Sequence, residues 1–136
     1  MRDAEAFFDT NVLLYLLSAD TTRADRVEEL LQQPGVVSVQ VLNEFAAVAS
    51  RKLRLSWAEI REVLAAIRRV CRTEPLTALD HDRAVELAAR YRFSFYDSLI
   101  LATALRAGCT TLYAEDLKHR QRIDDRLTII NPFVQG

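Results

Sequence analysis

Four carboxylates interrupt stretches that otherwise read as buried core: Asp9 in AFFDTNVLLYLL, Glu44 in VQVLNEFAAVA, Asp97 in FSFYDSLILATAL and Asp116 in TTLYAEDL. Burying one unpartnered carboxylate costs several kcal/mol, against the roughly 5–15 kcal/mol that holds a whole domain together. A chain that accepts four such placements has to fold so that they are compensated. The simplest compensation is a shared cation.

The surrounding pattern gives these acids a common address. Short β-like runs at Ala6–Phe8, Val36–Val39, Leu76–Ala78, Thr110–Tyr113 and Leu127–Ile130 alternate with helical stretches at Val12–Ser18, Thr22–Gln33, Val41–Lys52, Trp57–Arg72, Arg83–Tyr91 and Asp97–Ala107. Ser56 with Glu59 forms a capping box for the fourth helix, and Asp80 is a cap near the start of the fifth. Pro34-Gly35 ends the second helix and Gly108 the sixth. Alternation of this kind predicts an α/β fold with a five-stranded parallel sheet covered by helices on both faces. In open sheets of that class, polar ligands bind beyond the carboxyl ends of the strands. Asp9 directly follows the first strand, and Asp116 lies just past the fourth. Glu44 is in the early turns of the helix after the second strand, while Asp97 begins the helix leading into the fourth.

With 136 residues, half of them hydrophobic, the chain is long enough for one core and is expected to form a single domain over residues 1–136. Cys71 and Cys109 show no C-x-x-C or Cys/His spacing, so neither a zinc site nor a disulfide framework is expected. The longest apolar run, Val12 to Leu17, is far short of the roughly 20 residues of a membrane span, which points to a soluble cytoplasmic protein. A net charge of −1 excludes strong general attraction to nucleic acid but not a polarised surface. Arg51, Lys52 and Arg54 cluster, and Arg61, Arg68 and Arg72 recur on one face of the fourth helix. A solvated helix face is the plainer reading of that stripe, and a phosphate-facing rim the alternative.

Each acid also has an ordinary structural role open to it. Asp9 and Asp97 suit helix N-caps, Asp116 a terminal turn, and Glu44 a buried ion pair. Their joint placement favours a shared site. Oxygen-only ligands, without cysteine and without histidine at zinc spacing, favour the hard cations Mg²⁺ or Mn²⁺. Acids around one or two such ions hydrolyse phosphodiesters without a protein nucleophile. No G-x-S-x-G, P-loop or Cys/His arrangement competes with this reading, and His81 and His119 read as surface or capping residues.

FFDTNVLLY, LNEF, FYDSLILATALRAGCTTLYAEDL and the closing INPF together resemble the PIN-domain ribonucleases, most closely the VapC-type toxins of bacterial toxin-antitoxin pairs. The resemblance runs from about Phe7 to Phe133. It implies a PIN-like three-layer α/β/α fold, Mg²⁺- or Mn²⁺-dependent RNA cleavage, a homodimer and inhibition by a small antitoxin. By the same resemblance Asp9, Glu44 and Asp97 are the first three metal ligands and Asp116 the fourth acid. Thr10, Asn11 and Ser98 are placed to support ligand carboxylates or metal-bound water, and serve equally as local caps. Relatives often read Ser-Glu-Asp-Leu and then His-Gly, where this chain has Ala114-Glu115-Asp116-Leu117 and then His119-Arg120. Arg120 sets a cation near the RNA entrance, and Glu115 competes with Asp116 for the fourth position.

Three other readings stand beside this one. A housekeeping PIN-domain RNase would lack an antitoxin, and a non-catalytic PIN-like module would bind without cutting. A phosphotransferase of the haloacid-dehalogenase type wants a second Asp where Asn11 stands. For an antitoxin, Leu13, Leu14, Tyr15 and Leu16 and the helix beginning at Trp57 are the candidate surfaces.

Overall fold

Strands and helices alternate along residues 5–134, which the computed structural model describes. In chain order they are β1 (Ala6–Phe8), α1 (Thr10–Leu14), a 3-10 turn (Tyr15–Leu17), α2 (Thr21–Leu30), β2 (Gly35–Ser38), α3 (Val39–Arg51), α4 (Trp57–Val70), β3 (Cys71–Glu74), α5 (Ala78–Tyr91), α6 (Phe95–Arg106), β4 (Thr111–Tyr113), β5 (Arg122–Ile123) and β6 (Leu127–Ile130). The sheet order is β3-β2-β1-β4-β6-β5. The first five strands of that order run parallel, as expected, and β5 adds an antiparallel edge. Ala6 pairs with Gly35 on one side and Thr111 on the other, so β1 is central and the strand order reverses beside it.

A parallel sheet with helices on both faces needs strands that are apolar on both sides. Every residue of β2 is buried, and Phe7, Phe8, Val36, Val37, Leu112 and Ile129 form the middle of the core. Gly35 is required by packing: a Cβ there would lie 2.9 Å from the Phe8 ring and 3.1 Å from the Cys71 sulfur. Helix α6 is enclosed over Ser98–Leu105, the mark of a helix sheathed by its neighbours. Among the described residues, no helix is long and apolar enough to cross a membrane.

Hydroxyl caps fix where the helices start. Ser38, Ser56, Thr77 and Ser94 each accept a hydrogen bond from the backbone N–H three residues on. The Ser56/Glu59 capping box is present as expected. Asp80 is not the cap of α5: Thr77 is, and Asp80 closes a second capping box from the third helical position while pairing with Arg106. Consequently α5 starts at Ala78, five residues earlier than the sequence pattern indicated.

The third strand also lies elsewhere than expected. It is Cys71–Glu74, paired with Gly35–Ser38, whereas Leu76–Ala78 is the approach to α5 with Leu76 exposed. Helix α4 therefore stops at Val70, and Arg72 leaves the proposed arginine stripe. Its guanidinium binds Glu5, Glu74 and the Ala107 carbonyl instead, a structural knot at the sheet edge.

Candidate active site

Asp9 ends β1, and its backbone N–H donates to the Tyr113 carbonyl at 3.0 Å, fixing it between the two central strands. The side chain caps α1, accepting from the Thr10 N–H at 2.8 Å, and the residue is 8% exposed. Burial pushes its carboxyl up from 3.8 to about 7. The Thr10 N–H pulls the other way, and the negative charges of Asp97, Glu44 and Asp116 push it further up. No cation is among these influences. Asp9 is thus a cap, as its ordinary reading allows, and also the centre of a four-carboxylate group drawn from β1, α3, α6 and the loop after β4.

Glu44 lies on the face of α3 toward α1. The Thr10 hydroxyl donates to its Oε1 at 2.7 Å, and the Gln40 carboxamide approaches Oε2 at 3.4 Å. Gln40 also donates to the Tyr96 carbonyl at 3.1 Å, joining the start of α3 to the start of α6. Asp97 occupies the first turn of α6, where Ser94 rather than Asp97 is the cap. There its charge is favoured by the helix N-terminus. Asp116 is exposed and accepts from the Asn11 Nδ2 at 2.6 Å. Of the four acids, only Asp9 is buried; Glu44 and Asp97 are partly covered and Asp116 lies open at the mouth.

The adjacent acids Glu115 and Asp116 separate cleanly. Glu115 turns toward α2, taking the Tyr15 hydroxyl at 2.6 Å and an ion pair with Arg23. The Arg23 guanidinium lies 5.1 Å from the Tyr15 ring centre and 4.9 Å from that of Phe133. Asp116 is the one whose charge reaches Asp9.

Thr10 and Asn11 hold three of the acids directly, Asp9 and Glu44 through Thr10 and Asp116 through Asn11. Ser98 bonds to none of them: it is fully buried and its Oγ has no partner among the described residues. The Gln40 Oε1 is likewise buried without a partner. Sequence reasoning passed over Gln40, although its position four residues before Glu44 places both on one helical face. His81 packs edge-on against Phe95, and His119 accepts from the Asn131 N–H at 2.9 Å, so both are structural.

A hard divalent cation suits this donor set: every candidate ligand is a carboxylate oxygen, three are held by neutral donors, and the buried one is destabilised by the others. Among the described residues, no three acidic, histidine or cysteine side chains are yet closed into a cage that could hold an ion. The group is joined electrostatically, through the charges of Asp97, Glu44 and Asp116 on Asp9, without forming such a cage.

Comparison with known proteins agrees with this fold. VapC20 of Mycobacterium tuberculosis, described as a toxin that cleaves the sarcin-ricin loop, superposes with a TM-score of 0.66 at 28% identity, over 82% of this chain and 89% of that one. A toxin-antitoxin complex from Klebsiella pneumoniae gives a TM-score of 0.72 at 22% identity, over 94% and 98% of the two chains. VapBC2 of Rickettsia felis, bound to promoter DNA, gives 0.67 at 19% identity, over 92% and 96%. These last two likenesses concern the fold. No curated protein sequence matches the chain. The family model for the PIN domain matches residues 6–124, a stretch that contains all four acids and every strand but the last, and the chain belongs to the PIN-domain family.

Proposed function

We propose that this chain is a divalent-metal-dependent endoribonuclease, a single PIN domain over residues 1–136, acting in the cytoplasm as the toxin of a toxin-antitoxin pair. The observation that carries the reading is the Asp9 carboxylate, buried, capping α1 at the end of β1, and pushed up further by the charges of Glu44, Asp97 and Asp116. Four acids in that relation raise one another's energy unless they hold a positive ion.

Asp9, Glu44 and Asp97 would hold Mg²⁺ or Mn²⁺, with Asp116 completing the set or serving a second ion. When bound, such an ion supplies activated water and offsets charge on the phosphate. The chain's own contribution is placement. The Thr10 N–H fixes Asp9 and the Thr10 hydroxyl fixes Glu44, so one residue aligns two ligands. Asn11 orients Asp116 from the next position. Gln40 holds α3 against the first turn of α6, setting the separation of Glu44 and Asp97.

The toxin reading is supported by the likeness to VapC20 and to chains crystallised with antitoxins. A groove of about 940 Å³, walled by Leu16, Leu31, Pro34, Val63, Ile67 and Val70, supports an antitoxin that lays an apolar helix there. Leu13, by contrast, belongs to the core. A homodimer, which the resemblance implies, would cover some of the large apolar side chains left exposed, among them Trp57, Leu79, Val85 and Tyr96.

The test is incubation of purified protein with a mixed tRNA, rRNA and mRNA pool, with Mg²⁺ and with EDTA, followed by mapping of the ends. Discrete cleavage that EDTA abolishes and Asp97→Asn reduces at least a hundredfold is expected. Normal cleavage by Asp97→Asn in Mg²⁺ would remove Asp97 from the site, and no cleavage by the wild type of any RNA would remove the activity.

A further inference from the structure

We infer that the groove leading out of the acid centre seats the nucleotide beside the cleaved phosphate, with Lys52 at the far rim receiving that nucleotide's own phosphate. This rests on the nuclease reading above and names the substrate contact that reading leaves open.

The groove runs between the 3-10 turn and the end of α3 and encloses about 430 Å³, less than half the volume of the groove beside α4. That is near the small end of pockets that bind low-molecular-weight ligands, the scale of a single nucleotide. Asn11 and Asp116 form one end, so the groove and the acid centre share a wall. Leu14, Leu17, Val48 and Leu53 give it apolar sides of the kind against which a base packs.

Charge selects the occupant. Glu115 also borders the groove, but its carboxylate is already neutralised by Arg23. Lys52 is exposed at the end of α3, and among the described residues no carboxylate forms an ion pair with it or with Arg51 and Arg54 beside it. The chain turns there through a left-handed conformation at Arg54, φ 56°, which ends the helix and leaves three cations around one bend. The groove's lining therefore brings together a carboxylate of the cluster suited to a metal, apolar walls and unpaired positive charge. A single RNA strand presents the matching sequence of reacting phosphate, base and next phosphate. This also gives the Arg51–Arg54 cluster a role, while Arg68 on α4 borders no part of this groove.

The experiment is steady-state cleavage of a single-stranded mixed-sequence oligoribonucleotide at saturating Mg²⁺, comparing wild type, Lys52→Met, the groove-filling Ala19→Trp, and Arg68→Met as a charge-matched control. Both groove variants should raise KM about tenfold with kcat within about twofold, the signature of lost binding away from the reacting bond. Their Mg²⁺ half-saturation should match the wild type. For Lys52→Met the plot of log KM against log salt should be shallower by about 0.7, the contribution of one phosphate contact on a single strand. A lysine serving only the α3 C-terminus would change the melting temperature and leave KM and this slope unmoved. Wild type that cleaves, with both groove variants like Arg68→Met, overturns this inference alone. Groove variants that keep RNA kinetics but escape inhibition by a protein partner give the groove to that partner and overturn it as well. Wild type that cleaves no RNA defeats the nuclease reading and this inference together.

Discussion

Asp9 caps α1 and, in the function proposed above, would also hold a metal ion, and the two jobs separate on removal of its charge. Its folded carboxyl titrates near 7 against 3.8 for an ordinary aspartate, so between about pH 4 and pH 7 the metal-free folded state binds a proton that the unfolded chain has released. Stability contributed by this group is therefore lost as pH rises through that window, by on the order of 4 kcal/mol in full. Asp9→Asn keeps an oxygen to accept from the Thr10 N–H and sheds the charge. In EDTA at pH 8 this variant should be more stable than wild type by on the order of 2–4 kcal/mol, with the gap closing by pH 4, while RNA cleavage falls to background. Urea unfolding at both pH values checks it, and a wild type no less stable in EDTA at pH 8 than at pH 5 relative to the variant would contradict it. Asp9 and Glu44 were legible because a carboxylate inside an apolar run has few bland explanations. The choice between Glu115 and Asp116 was not legible, since it is made by Arg23, ninety-two residues away in sequence. Gln40 was invisible for a related reason: a neutral amide in a helix raises no alarm until its partners are known.

At the level of elements, the helices were read well and the edge of the sheet poorly. Cys71, Arg72 and Thr73 follow α4 without a break, so their spacing continues the helical pattern, and pairing with β2 overrides it. An edge strand whose side chains go into ion pairs lacks the apolar alternation by which strands are recognised. Leu76 and Ala78 looked like a strand because they are apolar, yet Leu76 follows Pro75 and the two flank Thr77, the cap that makes Ala78 the first residue of α5. The two-residue β5 is too short to leave any periodicity. Helix ends hold a further consequence. Arg92 closes α5 in the left-handed region, φ 63°, a conformation costing a side-chain-bearing residue roughly 1 kcal/mol relative to glycine. Arg92→Gly should raise unfolding stability by about 0.5–1 kcal/mol without altering cleavage, measured as a shift in the urea midpoint at constant slope. Arg120, at φ 72°, stands where relatives often have glycine, and the backbone there has kept the glycine-like conformation.

Taken as a whole, the molecule places its repelling acids at the strand-order reversal beside β1, where α/β sheets open a crevice. An ion that binds this crevice binds only the folded chain, so it stabilises by mass action. Mg²⁺ or Mn²⁺ at a hundred times its dissociation constant should add about 2.7 kcal/mol, a rise in melting temperature on the order of 10 °C, and Asp9→Asn should abolish most of it. A melting curve indifferent to both metals would show that the crevice holds neither. The same arrangement makes the acid group depend on contacts distant in sequence. Everything from α1 to α6 lies between Asp9 and Asp116 in the chain, and β4 reaches its place beside β1 only after α6 has been made. A chain that stops before β4 therefore carries Asp9, Glu44 and Asp97 without Asp116, and the central pairing of β1 with β4 that brings the acids to one sheet edge cannot form.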